Sequence, residues 1–441
     1  MYIAVHLEVK VGNLDSNLHH REMFMATSRQ FRRLMPRLNL GAKTAVLTLT
    51  FVFVLTVATT DAAHAQSFQV LFTFNGGPDG AQPYAGVTVD RAGNLYGATH
   101  SGNAGTNWGN VYKLQHFNSG WVYKVLFTFD GTLLSRPVFG PDGTLYGTSP
   151  NNLAGYYYGY IYNLRPPVAA FCHATTCPWD PSVLYHFTGG ADGNSPRYGD
   201  LIFDHAGNMY GTTAIGGNGN GVVFEMTRSG NTWTERPIYT FSGPDGANPY
   251  SGAIFDTAGN LYGTTTQGGA FGNGAVYELS PSGGGWTEQV LYSFQNANDG
   301  SFPTGGLVFD QSGNLYGSTN RGGSGGGGTI FELTPSGGGW TYNLLYSFTG
   351  GTNCGPWGSL SMNGGTLFGT TVCDGAHTAG NVFKLTNSGG SWTYSSIYDF
   401  IGGNDGKAPY CNVNFDAAGN MFGTAFQGGA FNQGVLWEIT P

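Results

Sequence analysis

A pattern of about fifty residues recurs along this chain, and such a repeat constrains the fold more than any other feature. Each copy reads as a Pro, an apolar run ending in Asp, a Gly turn, Leu-Tyr-Gly-Thr-Thr, Gly-Gly, Val-Phe-Glu-Leu, a second Gly turn, Trp-Thr and Leu-Tyr-Ser-Phe. Residues 249–294 hold the clearest example. Pro83, Pro137, Pro196, Pro249, Pro303, Pro356 and Pro409 mark seven copies at spacings of 54, 59, 53, 54, 53 and 53. The aromatic of the Leu-Tyr-Gly step gives the same count: Tyr96, Tyr146, Tyr210, Tyr262, Tyr316, Phe368 and Phe422.

Within 249–294 four strand patterns follow one another: A over Ala253–Asp256, B over Leu261–Thr265, C over Ala275–Leu279 and D over Trp286–Phe294. Each is β-branched, aromatic or alternating, and each is bounded by Gly, Asn, Asp or Pro. The short A–B connection allows only an antiparallel hairpin. No amphipathic helical stretch follows residue 66. The pattern therefore predicts an all-β fold, a seven-bladed β-propeller of four-stranded antiparallel blades. The chain opens with a lone D-type strand, Phe68–Phe74, and ends with A, B and C strands, the last at Val435–Ile439. The opening strand is expected to complete the seventh blade, which also removes an exposed sheet edge.

Composition agrees. Gly accounts for 74 of 441 residues, aromatics for 15% and charged residues for 10%. Disordered chains are rich in charge and poor in aromatics instead. Residues 1–65 hold 7 basic and 4 acidic residues, which leaves 11 and 22 in the remainder, a net charge of −11. Such an acidic body excludes nucleic acid as a partner class.

Residues 44–60 form an uncharged, mostly apolar run preceded by Arg29, Arg32, Arg33, Arg37 and Lys43 and followed by Ala63-His64-Ala65. This reads as a secretory signal over residues 1–65, with cleavage after Ala65. The expected product is one domain over 66–441, a monomer, secreted or at the cell surface, with no membrane contact after cleavage. An uncleaved membrane anchor is the alternative.

Residues present in nearly every copy read first as blade-building. Asp90, Asp204, Asp256, Asp310 and Asp416 each begin an Asp-x-x-Gly turn, where the carboxylate accepts backbone N–H groups. Trp121, Trp233, Trp286, Trp340 and Trp392 open strand D and are expected to cover the blade behind. The Gly of Leu-Tyr-Gly sits inside a strand, which implies a close approach, expected from a neighbouring blade.

The D–A and B–C loops share one face. The residue after each landmark Pro is expected near the channel mouth: Tyr84, Val138, Arg197, Tyr250, Thr304, Trp357 and Tyr410. Asp192, Asp245 and Asp299 lie in D–A loops, and Trp108, Tyr156, Tyr157, Tyr158, Phe271 and Phe431 in B–C loops. Aromatic faces beside carboxylates and amides suit a sugar. The candidate ligand-binding set is Tyr84, Arg197, Tyr250, Trp357, Tyr410, Asp192, Asp245 and Asp299. The same aromatics could instead pack between blades, and the same Asp residues could cap loops.

Five Cys are present. Cys172 and Cys177 lie in an insertion between strands C and D and could clip it. Cys354–Cys373 is the favoured second pair, leaving Cys411 free. Zinc is disfavoured, because no Cys-x-x-Cys spacing occurs, and no cofactor is called for. Gly322–Gly326 and Gly323–Gly328 match a nucleophile elbow and a dinucleotide fingerprint only formally, since both lie in a Gly-Ser run of a loop.

The motif over Gly259–Leu279 closely resembles the GloVer tandem repeat of exported bacterial proteins, and the likeness covers residues 68–441. It implies export and propeller-like repeats but brings no catalytic residues with it. The sequence thus favours a non-enzymatic exported propeller that binds an extracellular polysaccharide or a protein partner. A carbohydrate-active hydrolase or lyase with channel carboxylates is the first alternative, and a structural surface protein the second.

Overall fold

A computed structural model describes residues 66–102, 108–151, 158–167 and 178–441. The expected signal segment, Tyr156, Tyr157, Cys172 and Cys177 lie outside these residues. The described chain forms seven four-stranded antiparallel sheets. No helix among the described residues is long and apolar enough to cross a membrane.

The fourth blade shows how the sequence builds the unit. Its strands are β14 (Ile254–Phe255), β15 (Leu261–Thr265), β16 (Ala275–Ser282) and β17 (Gly285–Ser293). Strand C runs three residues longer than the sequence pattern predicts and strand D is displaced by one, because the pairing continues through Pro281↔Trp286 to Ser282↔Gly285 at a tight hairpin. The A–B turn is held by Asp256. Its Oδ1 accepts Ala258 N and Asn260 N at 2.8 Å, and its Oδ2 accepts Asn260 Nδ2 at 2.8 Å and Tyr262 Oη at 3.2 Å. Asp90, Asp204, Asp310 and Asp416 repeat the turn.

The Gly of Leu-Tyr-Gly has a different cause from the one expected. A Cβ at Gly263 would strike the ring of Tyr277, its cross-strand partner on strand C of the same blade. At Gly211 and Gly317 the rings are Phe224 and Phe331. The close approach therefore comes from within the blade, not from a neighbour.

Blades are joined by apolar clusters that each span two sheets. Tyr210, Val223 and Phe241 of the third blade pack with Ala253, Leu261, Tyr277 and Leu279 of the fourth. The strand-D tryptophans lie edge-to-face on the preceding blade as expected: Trp233 on Tyr146 at 6.1 Å, Trp286 on Tyr210 at 6.2 Å and Trp340 on Tyr262 at 6.1 Å. Edge-to-face contact at this range is the favoured geometry for aromatic pairs. The first strand, β1 (Ser67–Thr73), pairs with the last, β28 (Val435–Thr440), as Phe68↔Ile439 and Gln69↔Glu438. Phe74, Phe422 and Leu436 then pack on Val87, Leu95 and Tyr112 of the first blade, which closes the ring of clusters.

Candidate functional site

The inner A strands surround a central channel. The chain enters each A strand through a short loop that is fixed from the blade before it. The first Thr of Leu-Tyr-Gly-Thr-Thr does this: Thr212 Oγ1 donates to Ser251 O at 2.8 Å, Thr264 to Gly305 O at 3.0 Å and Thr424 to Ala85 O at 2.9 Å. The residue just before each acceptor stands at the channel mouth. Small residues keep the axis crowded but open; a Cβ at Gly252 would meet the backbone of Asp200.

At the mouth Tyr84 is stacked between Tyr198, 4.8 Å away between centroids, and Tyr410, 4.6 Å away. Trp357 stands at right angles to Tyr198 at 5.8 Å and to Tyr410 at 5.6 Å. Its Nε1 is buried without an acceptor among the described residues. Burial and the neighbouring tyrosines push the Tyr84 phenol well above its ordinary pKa, so it stays neutral. These four rings form a plug over the channel, a cavity of about 250 Å³.

The sequence frame is shifted at two of the seven mouth positions. Val138 begins strand A of the second blade, β6 (Val138–Phe139), and Leu134 lines the mouth instead. The third blade has one extra residue after its Pro, so Tyr198 joins the plug and Arg197 lies outside it. Tyr250 sits at the edge, tilted on Tyr198 at 5.5 Å and edge-to-face on Phe302 at 6.1 Å.

Beneath the plug the channel holds an ion pair that sequence reasoning missed. Arg136 Nη2 lies 2.8 Å from Asp200 Oδ2, and Nη1 donates to Asn414 Oδ1 at 2.7 Å. Asp200 is the one carboxylate among the described residues lining this cavity.

The three loop acids each hydrogen-bond within their own D–A loop. Asp192 accepts Tyr185 Oη at 2.9 Å, Thr188 N at 2.7 Å and Thr188 Oγ1 at 2.6 Å. Asp245 accepts Tyr239 Oη at 2.5 Å and Ser242 N at 2.8 Å. Asp299 accepts Tyr292 Oη at 3.0 Å, Gln295 N at 2.8 Å and Ala297 N at 3.0 Å. Each carboxylate closes its own D–A loop, which is the capping alternative.

Two grooves flank the plug on the loop-rich face. One, about 550 Å³, is lined by Tyr84, Tyr198, Phe426, His100, Asn194 and Arg197 among others. Burial lowers the His100 pKa, favouring the neutral ring. The second, about 500 Å³, includes Gln267, Asn273, Asn296, Phe302 and Arg321. Both volumes suit small ligands or a few sugar units. Farther out on this face Trp108, Tyr158, Phe271 and Phe431 are 45%, 43%, 56% and 59% exposed.

Cys354 and Cys373 form a disulfide that ties a D–A loop to a B–C loop beside the second groove, a bond consistent with an oxidising compartment. Cys411 is free and buried, and burial pushes its thiol up to about 11. No group of acidic, His or Cys side chains among the described residues is placed to hold a metal.

The family model described as the Gloeobacter/Verrucomicrobia repeat matches residues 134–355 and 289–441. No curated protein matches the chain. Among solved structures, PorZ, described as a bacterial surface component of the type-IX secretion system of Porphyromonas gingivalis, is 16% identical with a TM-score of 0.49, over 84% of this chain and 47% of that one. An ancestral GH74 enzyme is 13% identical with a TM-score of 0.48, over 81% of this chain and 48% of that one. The chain spans about half the length of each.

Proposed function

We propose that this chain, which belongs to the Gloeobacter/Verrucomicrobia repeat family, is an exported propeller that binds an extracellular polysaccharide through its loop-rich face and does not cleave it. The observation that carries the reading is the channel mouth: an aromatic plug with a polar groove on either side, lined by amides, hydroxyls and ring edges. Sugars are held by such surfaces, since their apolar ring faces pack on aromatics while their hydroxyls bond to amides.

Two further observations support binding over the alternatives. Hydrolysis by the usual route needs two carboxyl groups facing the glycosidic bond. The described channel lining offers Asp200 alone, already bonded by Arg136. A purely structural role would leave the loop aromatics packed between blades, whereas Trp108, Tyr158, Phe271 and Phe431 are exposed.

The test is a glycan array probed with the purified, oxidised protein and with a Tyr250→Ala, Trp357→Ala variant, the melting temperature of each being measured in parallel. The reading predicts binding by the parent, loss of at least tenfold affinity in a folded variant, and no new reducing ends from the bound glycan. Absence of binding across the array would overturn it in favour of a protein partner.

A further inference from the structure

The charge at the mouth is not what the composition leads one to expect. The body of the chain carries 22 acidic residues against 11 basic ones. Even so, the groove on each side of the aromatic plug presents an arginine, Arg197 in one and Arg321 in the other.

The two arginines are held alike. The Arg197 guanidinium lies 5.8 Å from the Tyr250 ring, and its Nε donates to Ser195 Oγ at 2.8 Å. The Arg321 guanidinium lies 4.1 Å from the Phe302 ring, and its Nε donates to Asn353 Oδ1 at 2.6 Å. Tyr250 and Phe302 touch edge-to-face, so the order across the mouth is Arg197, Tyr250, Phe302, Arg321. An aromatic face beneath a guanidinium fixes its plane without neutralising its charge.

Among the described residues neither arginine has a carboxylate partner. The ion pairs among the described residues are Arg136–Asp200, Arg165–Asp180, Arg228–Asp142 and Arg236–Glu225. Asp192 and Asp299 turn their oxygens onto their own loops, Asp310 caps its own turn, and Asp200 is bonded by Arg136. Two oriented, unpaired guanidinium groups flanking an aromatic pair fit a chain that bears anionic groups along a sugar backbone.

We propose that the polysaccharide received at this face is anionic, with carboxylate or sulfate groups met by Arg197 and Arg321 on either side of the Tyr250–Phe302 pair. The proposal rests on the glycan-binding reading above and adds the ligand's chemical class.

The experiment pairs charged and neutral polymers. The full protein is titrated with polygalacturonate, with the same polymer fully methyl-esterified, with alginate, with dextran sulfate and with a panel of neutral polysaccharides. Each titration is repeated for Arg197→Gln, Arg321→Gln and the exposed turn variant Arg91→Gln. The expected result is binding to at least one anionic polymer that falls tenfold or more in each mouth variant, is unchanged in Arg91→Gln, and weakens as salt rises. If a uronate is the ligand, methyl esterification abolishes binding; if only dextran sulfate binds, the anion is a sulfate. Binding confined to neutral polymers, or anionic binding indifferent to both arginines, overturns this proposal and leaves the glycan reading standing. Failure of every polymer overturns both.

Discussion

Arg136 of the second blade and Asp200 of the third meet in the central channel at 2.8 Å, and the same arginine reaches Asn414 of the seventh. One side chain thus ties the first half of the ring to its closing blade. Both partners of the ion pair are about three-quarters buried. Removing one partner strands the other charge where water reaches it poorly. Asp200→Ala is expected to cost more than the ~1 kcal/mol of an exposed pair and less than the ~3–5 kcal/mol of a fully buried one. Urea unfolding measures this. An Arg136→Met, Asp200→Leu double variant is expected to recover most of the loss, and a double variant as unstable as the single one would contradict the account.

Stability is expected to fall between mildly acidic and alkaline pH. Burial, and then the charge of Asp192, raise the Glu235 carboxyl from 4.5 to about 8. Burial, and then Asp245, raise Glu288 from 4.5 to about 7. The folded state therefore keeps protons that the unfolded chain releases above pH ~4.5. That contribution is complete below the unfolded pKa and is lost as pH rises through about 7 to 8. Urea midpoints should decline from pH 5 to pH 8.5, and Glu235→Gln, Glu288→Gln should flatten the profile and be the more stable protein at pH 8.5. An unchanged slope would show that these two groups do not govern it.

Tyr277 lies fully buried over Gly263, and its hydroxyl has no partner among the described residues. The corresponding residues of the blades on either side are Phe224 and Phe331. A buried hydroxyl left unbonded carries a desolvation cost of ~1–3 kcal/mol. Tyr277→Phe is expected to leave the melting temperature unchanged or raise it by a few degrees. A fall would reveal a hydrogen bond that this packing does not contain.

Cys411 takes the place of Ser251 and Gly305 in its blade's entry loop, and its thiol is enclosed and raised to about 11. The thiolate is the reactive form. Alkylation mapped by peptide mass is expected to leave Cys411 unlabelled in the native protein at pH 8 and to label it fully after denaturation.

The architecture was legible because each blade repeats it. Two independent landmarks count seven blades, and the strand patterns alternate or are β-branched. The terminal strands are complementary, so even the pairing of β1 with β28 follows from the order of patterns. The mouth was only partly legible. Pro137 directly precedes strand A of its blade, while Leu133 stands where the other blades have their Pro, so counting from Pro displaced Leu134 and Arg136 from view. Counting back from the strand-A pair Val138–Phe139 would have placed both. The Arg136–Asp200 pair carried no sequence signal of its own, because its members are 64 residues apart and meet only when the second and third blades pack side by side. Asp192, Asp245 and Asp299 read two ways for a physical reason: an Asp before Gly suits a ligand group and a loop cap equally well, and the Tyr seven or six residues earlier supplies a hydrogen bond to the cap.

The central claim is that the loop-rich face, not the opposite one, receives a polysaccharide. Hydrogen exchange of the protein with and without a glycan that it binds tests this most directly. The account predicts slowed exchange confined to the loops around Tyr84, Arg197, Tyr250, Phe302, Arg321 and Trp357, with the Asp256 and Ser282–Gly285 turns of the other face unchanged. Protection concentrated at those turns, or spread evenly over the blades, would contradict it.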